Sequence, residues 1–194
     1  MVMLFFSLII AYLIGSISSA VLICKAFSAP DPRELGSKNP GATNVLRVAG
    51  KLPAVLTLLA DGLKGFLPVF LATKFATTPI FPSIVLVSVV FGHIFPIFFS
   101  FKGGKGVATA YGAFLGLSPM FGGIIFLSWL IILKLTKISS LAAILSCLEA
   151  LVLAFYWFDN QIIVGGVVAV CILVLIRHQS NLMRLIEKEE SKVG

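Results

Sequence analysis

The sequence predicts an all-α protein that crosses a membrane several times. Of its 194 residues, 59% are hydrophobic and 12% are charged, and the mean hydropathy is +1.08. A soluble domain needs about 25% charged residues to cover its surface. The apolar segments are continuous rather than alternating, which favours spanning helices over the strands of a barrel. No separate soluble domain is expected, so the sequence predicts one transmembrane domain over 1–194.

Seven apolar segments follow one another, separated by short polar or Gly/Pro breaks. They lie near 3–24, 53–73, 80–99, 107–117, 119–133, 138–157 and 160–176. The first has no basic start and no cleavage site, so it is predicted to be a span rather than a signal peptide. The segment 107–117 is too short to cross about 30 Å at about 1.5 Å per residue. Ser118-Pro119 offers a turn after it, but proline also occurs inside membrane helices, which leaves six spans as an alternative.

Lysines and arginines predict which side each end of the chain faces. They form four groups, which lie between the first two apolar segments, at 102–105, at 134–137 and in the C-terminal tail. Cytoplasmic loops collect Lys and Arg, and only seven spans put all four groups on one side. The sequence therefore predicts seven spans, with the N-terminus outside and the C-terminus in the cytoplasm.

The first polar segment runs from Gly36 to Arg47 and is predicted to be a loop. Two glycines and a proline permit a tight turn whose N–H groups converge, and Ser37, Asn44 and Arg47 are suited to bind an anion or a developing oxyanion. The same predicted phosphate site includes Asn39, Gly41 and Thr43. The alternative is an ordinary cytoplasmic turn anchored by cations.

A second glycine- and lysine-rich segment runs from Phe101 to Thr109, directly before an apolar helix. Glycines let a phosphate approach the backbone, the helix N-terminus offers N–H groups, and lysines add full charges. The predicted anion-binding residues are Lys102, Gly103, Gly104, Lys105, Gly106 and Thr109. The segment is not a Walker A motif, because Phe99 stands where its first glycine would fall and Gly106 follows Lys105, so ATP hydrolysis is disfavoured. The alternative is a flexible basic loop.

A third polar group begins where the last apolar segment ends. It contains Arg177, His178, Asn181 and Arg184, and positions 177, 181 and 184 would share one face of a continuous helix. His178 is a candidate titrating or hydrogen-bonding group. Alone, such a cluster is more typical of side chains that reach for the membrane interface, so its functional interpretation depends on the other two segments.

Four ionisable residues lie inside predicted spans, where they are costly enough to need an explanation. Asp61 and Lys64 are spaced i,i+3 and either pair with each other or bind substrate directly. His93 precedes the 101–109 segment and is predicted to support it. Glu149 is either neutral or paired across helices.

The three cysteines lie in apolar stretches without metal-ligand spacing. Cys24, Cys147 and Cys171 are therefore predicted to be small buried apolar residues.

Several stretches of the chain together resemble one family. They are Gly15-Ser16-Ile17, GSKNPGATNVLR from Gly36 to Arg47, Asp61 to Gly65, His93 and Pro96 leading to FKGGKGVAT, and the tail beginning Arg177-His178. Along nearly the whole chain they resemble the bacterial acyl-phosphate:glycerol-3-phosphate acyltransferase family, PlsY. The family pattern ends in R-L-x-x-G-x-E, which here runs from Arg184 to Glu190, with Lys188 where glycine is expected.

The resemblance implies a seven-span enzyme of phospholipid synthesis in the bacterial inner membrane, with its active site at the cytoplasmic face. It would transfer a fatty acyl group from acyl phosphate to the sn-1 hydroxyl of glycerol 3-phosphate, giving lysophosphatidic acid and phosphate. The expected partners are these two substrates and membrane lipids; no metal, cofactor, nucleic acid or obligate protein partner is expected. An H-x-x-x-x-D pair is missing, because Phe98 follows His93 and Met183 follows His178 at that offset, so acyl-CoA is not the expected donor.

The resulting predicted site has three groups of residues. The catalytic group is Ser37, Asn44, Lys105, His178 and Asn181; Arg47, Arg177 and Arg184 join the phosphate-binding residues named above; Asp61, Lys64 and His93 support them. His178 is either a general base or a hydrogen-bonding group beside a donor phosphate that takes the proton itself. Two rival classes remain at this point, an anion transporter and a basic membrane scaffold.

Overall fold

The structure is a computed structural model that describes residues 2–193, and all regular secondary structure in this part of the chain is helical, without a strand. The predicted all-α fold class is confirmed. The helices are α1 Val2–Gly15, α2 Ser19–Ala26, α3 Ala42–Ala49, α4 Lys51–Phe75, α5 Ile80–Ile94, a 3₁₀ turn Ile97–Phe99, α6 Val107–Leu117, α7 Pro119–Thr136, α8 Ser139–Trp157, α9 Gln161–Arg177 and α10 Gln179–Ile186.

Every predicted apolar segment contains a helix, but the helices differ in length. Within residues 2–193, five segments are long and apolar enough to cross a membrane: Phe5–Ala26, Lys51–Phe75, Ile80–Phe99, Pro119–Thr136 and Ser139–Trp157. A sixth results if α9 and α10, which meet at a bend of 56°, form one span, whereas α6 is a shorter apolar helix. The count of seven spans and the orientation of the termini therefore stay predictions.

The predicted loop 36–47 is wrong in its second half, where α3 forms. Pro40 and the extended residue Gly41 precede the helix, and no glycine or proline follows until Gly50. Val45 is fully buried and packs with Ala20 and other apolar residues of α2 and α4. The amphipathic stretch therefore gains a buried face by becoming helical, which its composition as a turn concealed.

Helix α6 lies inside the bundle, because glycines bring its backbone against that of α4. A Cβ atom at Gly65 would overlap the Thr109 carbonyl, and one at Gly112 would overlap the Gly62 carbonyl. Helices α4 and α7 both pack on α6, and its residues Ala113 and Phe114 belong to the main core. Small residues allow this close approach in membrane helices. As a result, α6 is packed between α4 and α7.

The three cysteines and the half-buried Glu149 agree with the expectations for them. Cys24, Cys147 and Cys171 are buried and free of disulfides. Glu149 of α8 accepts a hydrogen bond from Ser128 Oγ of α7 at 3.0 Å. The sequence left open whether this glutamate is neutral or paired, and its partner lies across a helix pair.

Candidate active site

One cavity of about 1280 Å³ joins the polar segments to an apolar groove. Its charged and polar residues come from several parts of the chain: Ser37, Asn39, Thr43, Asn44, Arg47 and Lys51; Asp61; His93; Lys105; Ser139 and Ser140; and His178, Asn181, Arg184, Glu190 and Ser191. Its apolar walls extend down α4 as far as Phe66, down α6 to Leu115 and along α7 from Leu133 to Phe126. Fifteen residues of α4 separate Lys51 from Phe66, or about 22 Å of helix. The cavity therefore combines a cationic end with a long apolar groove.

The groove is open along one side. Leu59 and Leu63 line the cavity on α4, yet they are 63% and 59% exposed. Residues exposed at these positions of a spanning helix face lipid. The apolar wall of the cavity is thus continuous with the lipid-facing surface of the protein.

The Asn44 side chain forms hydrogen bonds within the first segment, and neither of its N–H donors is free to bind a ligand. Its Nδ2 donates to the carbonyls of Pro32 at 2.7 Å and Leu35 at 3.0 Å, and its Oδ1 accepts from the Ser37 N–H at 2.9 Å. The side chain is 1% exposed. Both of its donors are engaged, so the predicted direct catalytic role of Asn44 is not supported; it positions Ser37, which is exposed at the cavity.

The remaining residues of the first segment line the cavity as predicted. Thr43 Oγ1 lies 3.0 Å from Ser139 Oγ of α8. Arg47 is exposed on α3, and its Nη2 donates to Ser191 Oγ at 2.9 Å. Asn39 and Gly41 also line the cavity.

In the second segment only Lys105 and Gly106 of the predicted residues line the cavity. Gly103 and Gly104 instead pack on the end of α5, where added Cβ atoms would overlap His93. Lys102 is exposed, and Thr109 is buried with its Oγ1 3.2 Å from His93 Nδ1. Gly103 and Gly104 thus allow close packing on α5, and four of the six predicted residues do not line the cavity.

Lys105 is the cation that the second segment contributes. Its Nζ donates to Asn181 Oδ1 of α10. Burial lowers the pKa of Lys105 to about 8; nearby arginines add to the effect and Glu190 opposes it. The ammonium is therefore still charged at neutral pH. Because its position is poorly hydrated, its charge interacts strongly with neighbouring charged groups.

A break in the helix at His178 separates the third group. Arg177 ends α9, is exposed and reaches the Gly103 carbonyl at 3.4 Å. Asn181 and Arg184 lie on α10 and line the cavity. The predicted common face of 177, 181 and 184 is wrong, because the 56° bend directs Arg177 elsewhere.

His178 is 3% exposed and lines the cavity just beyond the end of α9. Its Nδ1 lies 2.8 Å from the Val174 carbonyl. A carbonyl only accepts, so Nδ1 carries the proton and Nε2 is left as an acceptor. The pKa of His178 is lowered to about 4: burial is the main cause, the positive charges of Lys105 and Arg177 add to it, and the Val174 hydrogen bond and Glu190 oppose it.

Asp61, Lys64 and His93 form a buried cluster beneath the polar end. Lys64 Nζ lies 2.8 Å from Asp61 Oδ1 and donates to the Ile17 carbonyl at 2.6 Å. His93 Nδ1 is 3.6 Å from Asp61 Oδ1. The i,i+3 pairing is confirmed. The cluster ties the connection between α1 and α2, through Ile17, and α4 to the end of α5, on which Gly103 and Gly104 pack.

The site also contains Glu190 and Ser140, which the predicted residues omitted. The Glu190 carboxylate accepts from Ser140 Oγ at 2.8 Å, Asn181 Nδ2 at 2.7 Å and Arg184 Nε at 2.6 Å. Burial would raise the pKa of Glu190, but these three hydrogen bonds outweigh it and hold the pKa below the usual value. The terminal glutamate of the R-L-x-x-G-x-E pattern was a signal for Glu190; Ser140 has no comparable signal.

Comparison with known proteins decides the family. The model of a family described as glycerol-3-phosphate acyltransferase matches residues 5–188. The chain belongs to the glycerol-3-phosphate acyltransferase family. The acyltransferase is 45% identical over 187 residues to the glycerol-3-phosphate acyltransferase of Ruthia magnifica subsp. Calyptogena magnifica, covering 96% of this chain and 95% of the relative. It is 48% identical over 189 residues to that of Methylobacillus flagellatus, with the same coverages.

Two solved structures share the fold of the acyltransferase. Both are of PlsY (YgiH), an integral membrane glycerol 3-phosphate acyltransferase. The glycerol 3-phosphate form has a TM-score of 0.94 and 38% identity, covering 98% of this chain and 96% of that one. The lysophosphatidic acid form has a TM-score of 0.91 and 37% identity, covering 98% and 95%. The resemblance seen in the sequence is confirmed: the protein is a PlsY-type membrane acyltransferase, and a role in phospholipid synthesis follows from the family.

Proposed function

We propose that this acyltransferase takes its acyl group from acyl phosphate and transfers it to the sn-1 hydroxyl of glycerol 3-phosphate, forming lysophosphatidic acid and phosphate. The observation that carries the proposal is the single cavity in which Lys105, Arg47 and Arg184 stand at one end and an apolar groove extends from the other. Two phosphate groups suit the cations, and a fatty acyl chain suits the groove.

The proposed reaction needs few protein groups. The sn-1 oxygen attacks the acyl carbonyl carbon, a new C–O ester bond forms, and the bond between that carbon and the phosphate oxygen breaks. The hydroxyl proton passes to an oxygen of the departing phosphate, so no separate base is required. Lys105, Arg47 and Arg184 hold the phosphates, and Ser37 stands at the rim as a hydroxyl donor. Before attack, His178 Nε2 accepts a hydrogen bond from the sn-1 hydroxyl; as the ester bond forms, that proton passes to the phosphate oxygen instead.

The proposal extends to the membrane. The chain is a single transmembrane domain of seven spans in the bacterial inner membrane, with its N-terminus outside and the site at the cytoplasmic face. The order of lysine and arginine groups along the chain supports this orientation. At that face the water-soluble acceptor and the membrane-soluble donor can reach one cavity from different sides.

An assay of the purified protein in detergent tests the donor. With glycerol 3-phosphate, a long-chain acyl phosphate should give lysophosphatidic acid and inorganic phosphate in equal amounts, whereas acyl-CoA should give none. Lys105→Ala is the matched inactive control, with an expected loss of about a hundredfold or more. Efficient turnover of acyl-CoA would overturn the donor assignment. Phosphate uptake into vesicles without any ester product would instead favour transport.

A further inference from the structure

The last described residues fold back over the polar end of the cavity. Two residues after the end of α10, Lys188 adopts a left-handed backbone, φ 61°, and the Glu189 N–H closes the turn on the Arg184 carbonyl at 2.8 Å. The chain then passes the N-terminal end of α8, and the Val193 N–H donates to the carbonyl of Lys137, which lies between α7 and α8, at 2.7 Å. This reversal places the Glu190 carboxylate between α8 and α10, with 9% of its side chain exposed.

Glu190 decides which way the Asn181 amide faces. A carboxylate only accepts hydrogen bonds and an ammonium only donates them. Asn181 stands between the two, with Nδ2 donating to Glu190 Oε1 at 2.7 Å and Oδ1 accepting from Lys105 Nζ. Asn181 is 3% exposed, so a reversed amide would face two unsuitable partners with little water to relieve them.

We propose that Glu190 is a positioning residue for acyl transfer, which fixes the Asn181 amide and through it the ammonium of Lys105. The inference rests on the role proposed for Lys105 in holding phosphate. It does not give Glu190 any contact with substrate.

The rival explanation is that Glu190 acts only through its negative charge among Lys105, Arg47, Arg177 and Arg184. The two explanations predict opposite effects of removing that charge. Without it, the cationic end would bind an anionic substrate more tightly, so KM for glycerol 3-phosphate would fall while kcat stayed the same. Loss of positioning would lower kcat instead.

Glu190→Gln is the first variant. Its new amide keeps the shape of the side chain, and the best fit to Arg184 leaves an oxygen on that nitrogen and turns an NH₂ group towards Ser140 and Asn181. The Asn181 amide is then expected to reverse and to oppose the Lys105 ammonium with its own NH₂. We expect kcat to fall about tenfold or more, with less than about a threefold change in KM. Glu189→Gln makes the same charge change at an exposed neighbour and should behave like the wild type.

A swap of the two side chains gives the decisive comparison. Asn181→Asp alone places two carboxylates against each other and should lose most activity. Asn181→Asp combined with Glu190→Gln restores the order, because the new amide donates to the new carboxylate, which accepts from Lys105. We expect the double variant to exceed Asn181→Asp in kcat by about tenfold, a coupling that two independent defects would not show.

Thermal midpoints in detergent accompany each measurement. If Glu190→Gln does not fold by itself, the comparison of Asn181→Asp with the double variant still decides the question. A double variant no more active than Asn181→Asp, or a lowered KM with unchanged kcat in Glu190→Gln, would overturn the proposal. The ratios use any donor that the wild type accepts, so rejection of the acyl phosphate donor would be seen separately in the wild-type assay.

Discussion

His178 has its two ring nitrogens committed to different tasks. The Val174 carbonyl holds Nδ1–H, so Nε2 can only accept while the ring is neutral. Burial keeps the pKa of the ring at about 4, which makes it a weak base for a hydroxyl proton at neutral pH. Both facts favour a histidine that orients the attacking hydroxyl over one that removes its proton.

Substitution of His178 separates these two roles. His178→Asn and His178→Gln keep a hydrogen-bonding group but have no basic nitrogen, so they should retain substantially more kcat than His178→Ala. In the wild type, a loss of activity from protonation of His178 should occur as the pH falls through about 4, rather than near the ordinary histidine value of about 6.5. The measurements are kcat in all three variants and a pH profile of the wild type.

Equal and near-complete inactivity in three correctly folded variants would return His178 to the role of general base. An acidic limb near pH 6.5 that disappears in His178→Gln would point the same way.

At the scale of elements, the position of α6 depends on glycines, whose lack of a Cβ atom lets its backbone approach that of α4. Gly112 faces the Gly62 carbonyl so closely that a Cβ atom at position 112 has no room, and the obstacle is backbone that cannot rotate away. Gly65 and Gly116 meet the neighbouring backbone in the same way. Because α6 begins directly after Lys105, any displacement of this helix also moves the ammonium.

Gly112→Ala should therefore lower both stability and activity. Overpacking of a close contact typically costs about 1–3 kcal/mol. Gly123→Ala on α7 is the matched control, because nothing lies within 4 Å of a Cβ atom there, and alanine is the better helix former. Thermal midpoints in detergent should fall for Gly112→Ala and stay unchanged or rise for Gly123→Ala; equal midpoints would contradict the packing argument.

Two elements show where sequence patterns were insufficient. The stretch that became α3 has the glycines and proline of a turn on its N-terminal side, but its helical face becomes evident only when Val45 is seen against α2 and α4. The break at His178 has no glycine or proline to mark it, so a continuous helix was the natural prediction. In both places the outcome depends on tertiary contacts, which local composition does not contain.

For the whole molecule, the apolar segments correctly predicted the helices, and the structure brings Arg47, Lys105 and Arg184 from three separate segments to one cavity. Lys105 was predicted from the glycine- and lysine-rich segment that precedes an apolar helix, and His178 and Asn181 from the polar group that follows the last apolar segment; all three line the cavity. Their hydrogen-bond partners were less accessible to prediction. Glu190 lies far in sequence from Ser140, and Gly103 and Gly104 pack on His93 rather than lining the cavity. Contacts between distant segments follow from the packed arrangement and not from residue type.

The open, lipid-facing side of the groove affects how KM for the proposed donor should depend on the length of its acyl chain. A methylene group that moves from water into an apolar site contributes about 0.8 kcal/mol. One that moves from the bilayer into this groove exchanges lipid for side chains such as Leu59 and Leu63, which are equally apolar, and so contributes almost nothing. In vesicles, KM expressed as the fraction of proposed donor in the bilayer should hardly differ between short and long acyl chains. KM expressed against total aqueous donor should fall steeply with chain length, because partitioning into the membrane, rather than recognition by the protein, accounts for the gain. If KM fell steeply with chain length by both measures, the groove would have to enclose the acyl chain and bind longer chains more tightly.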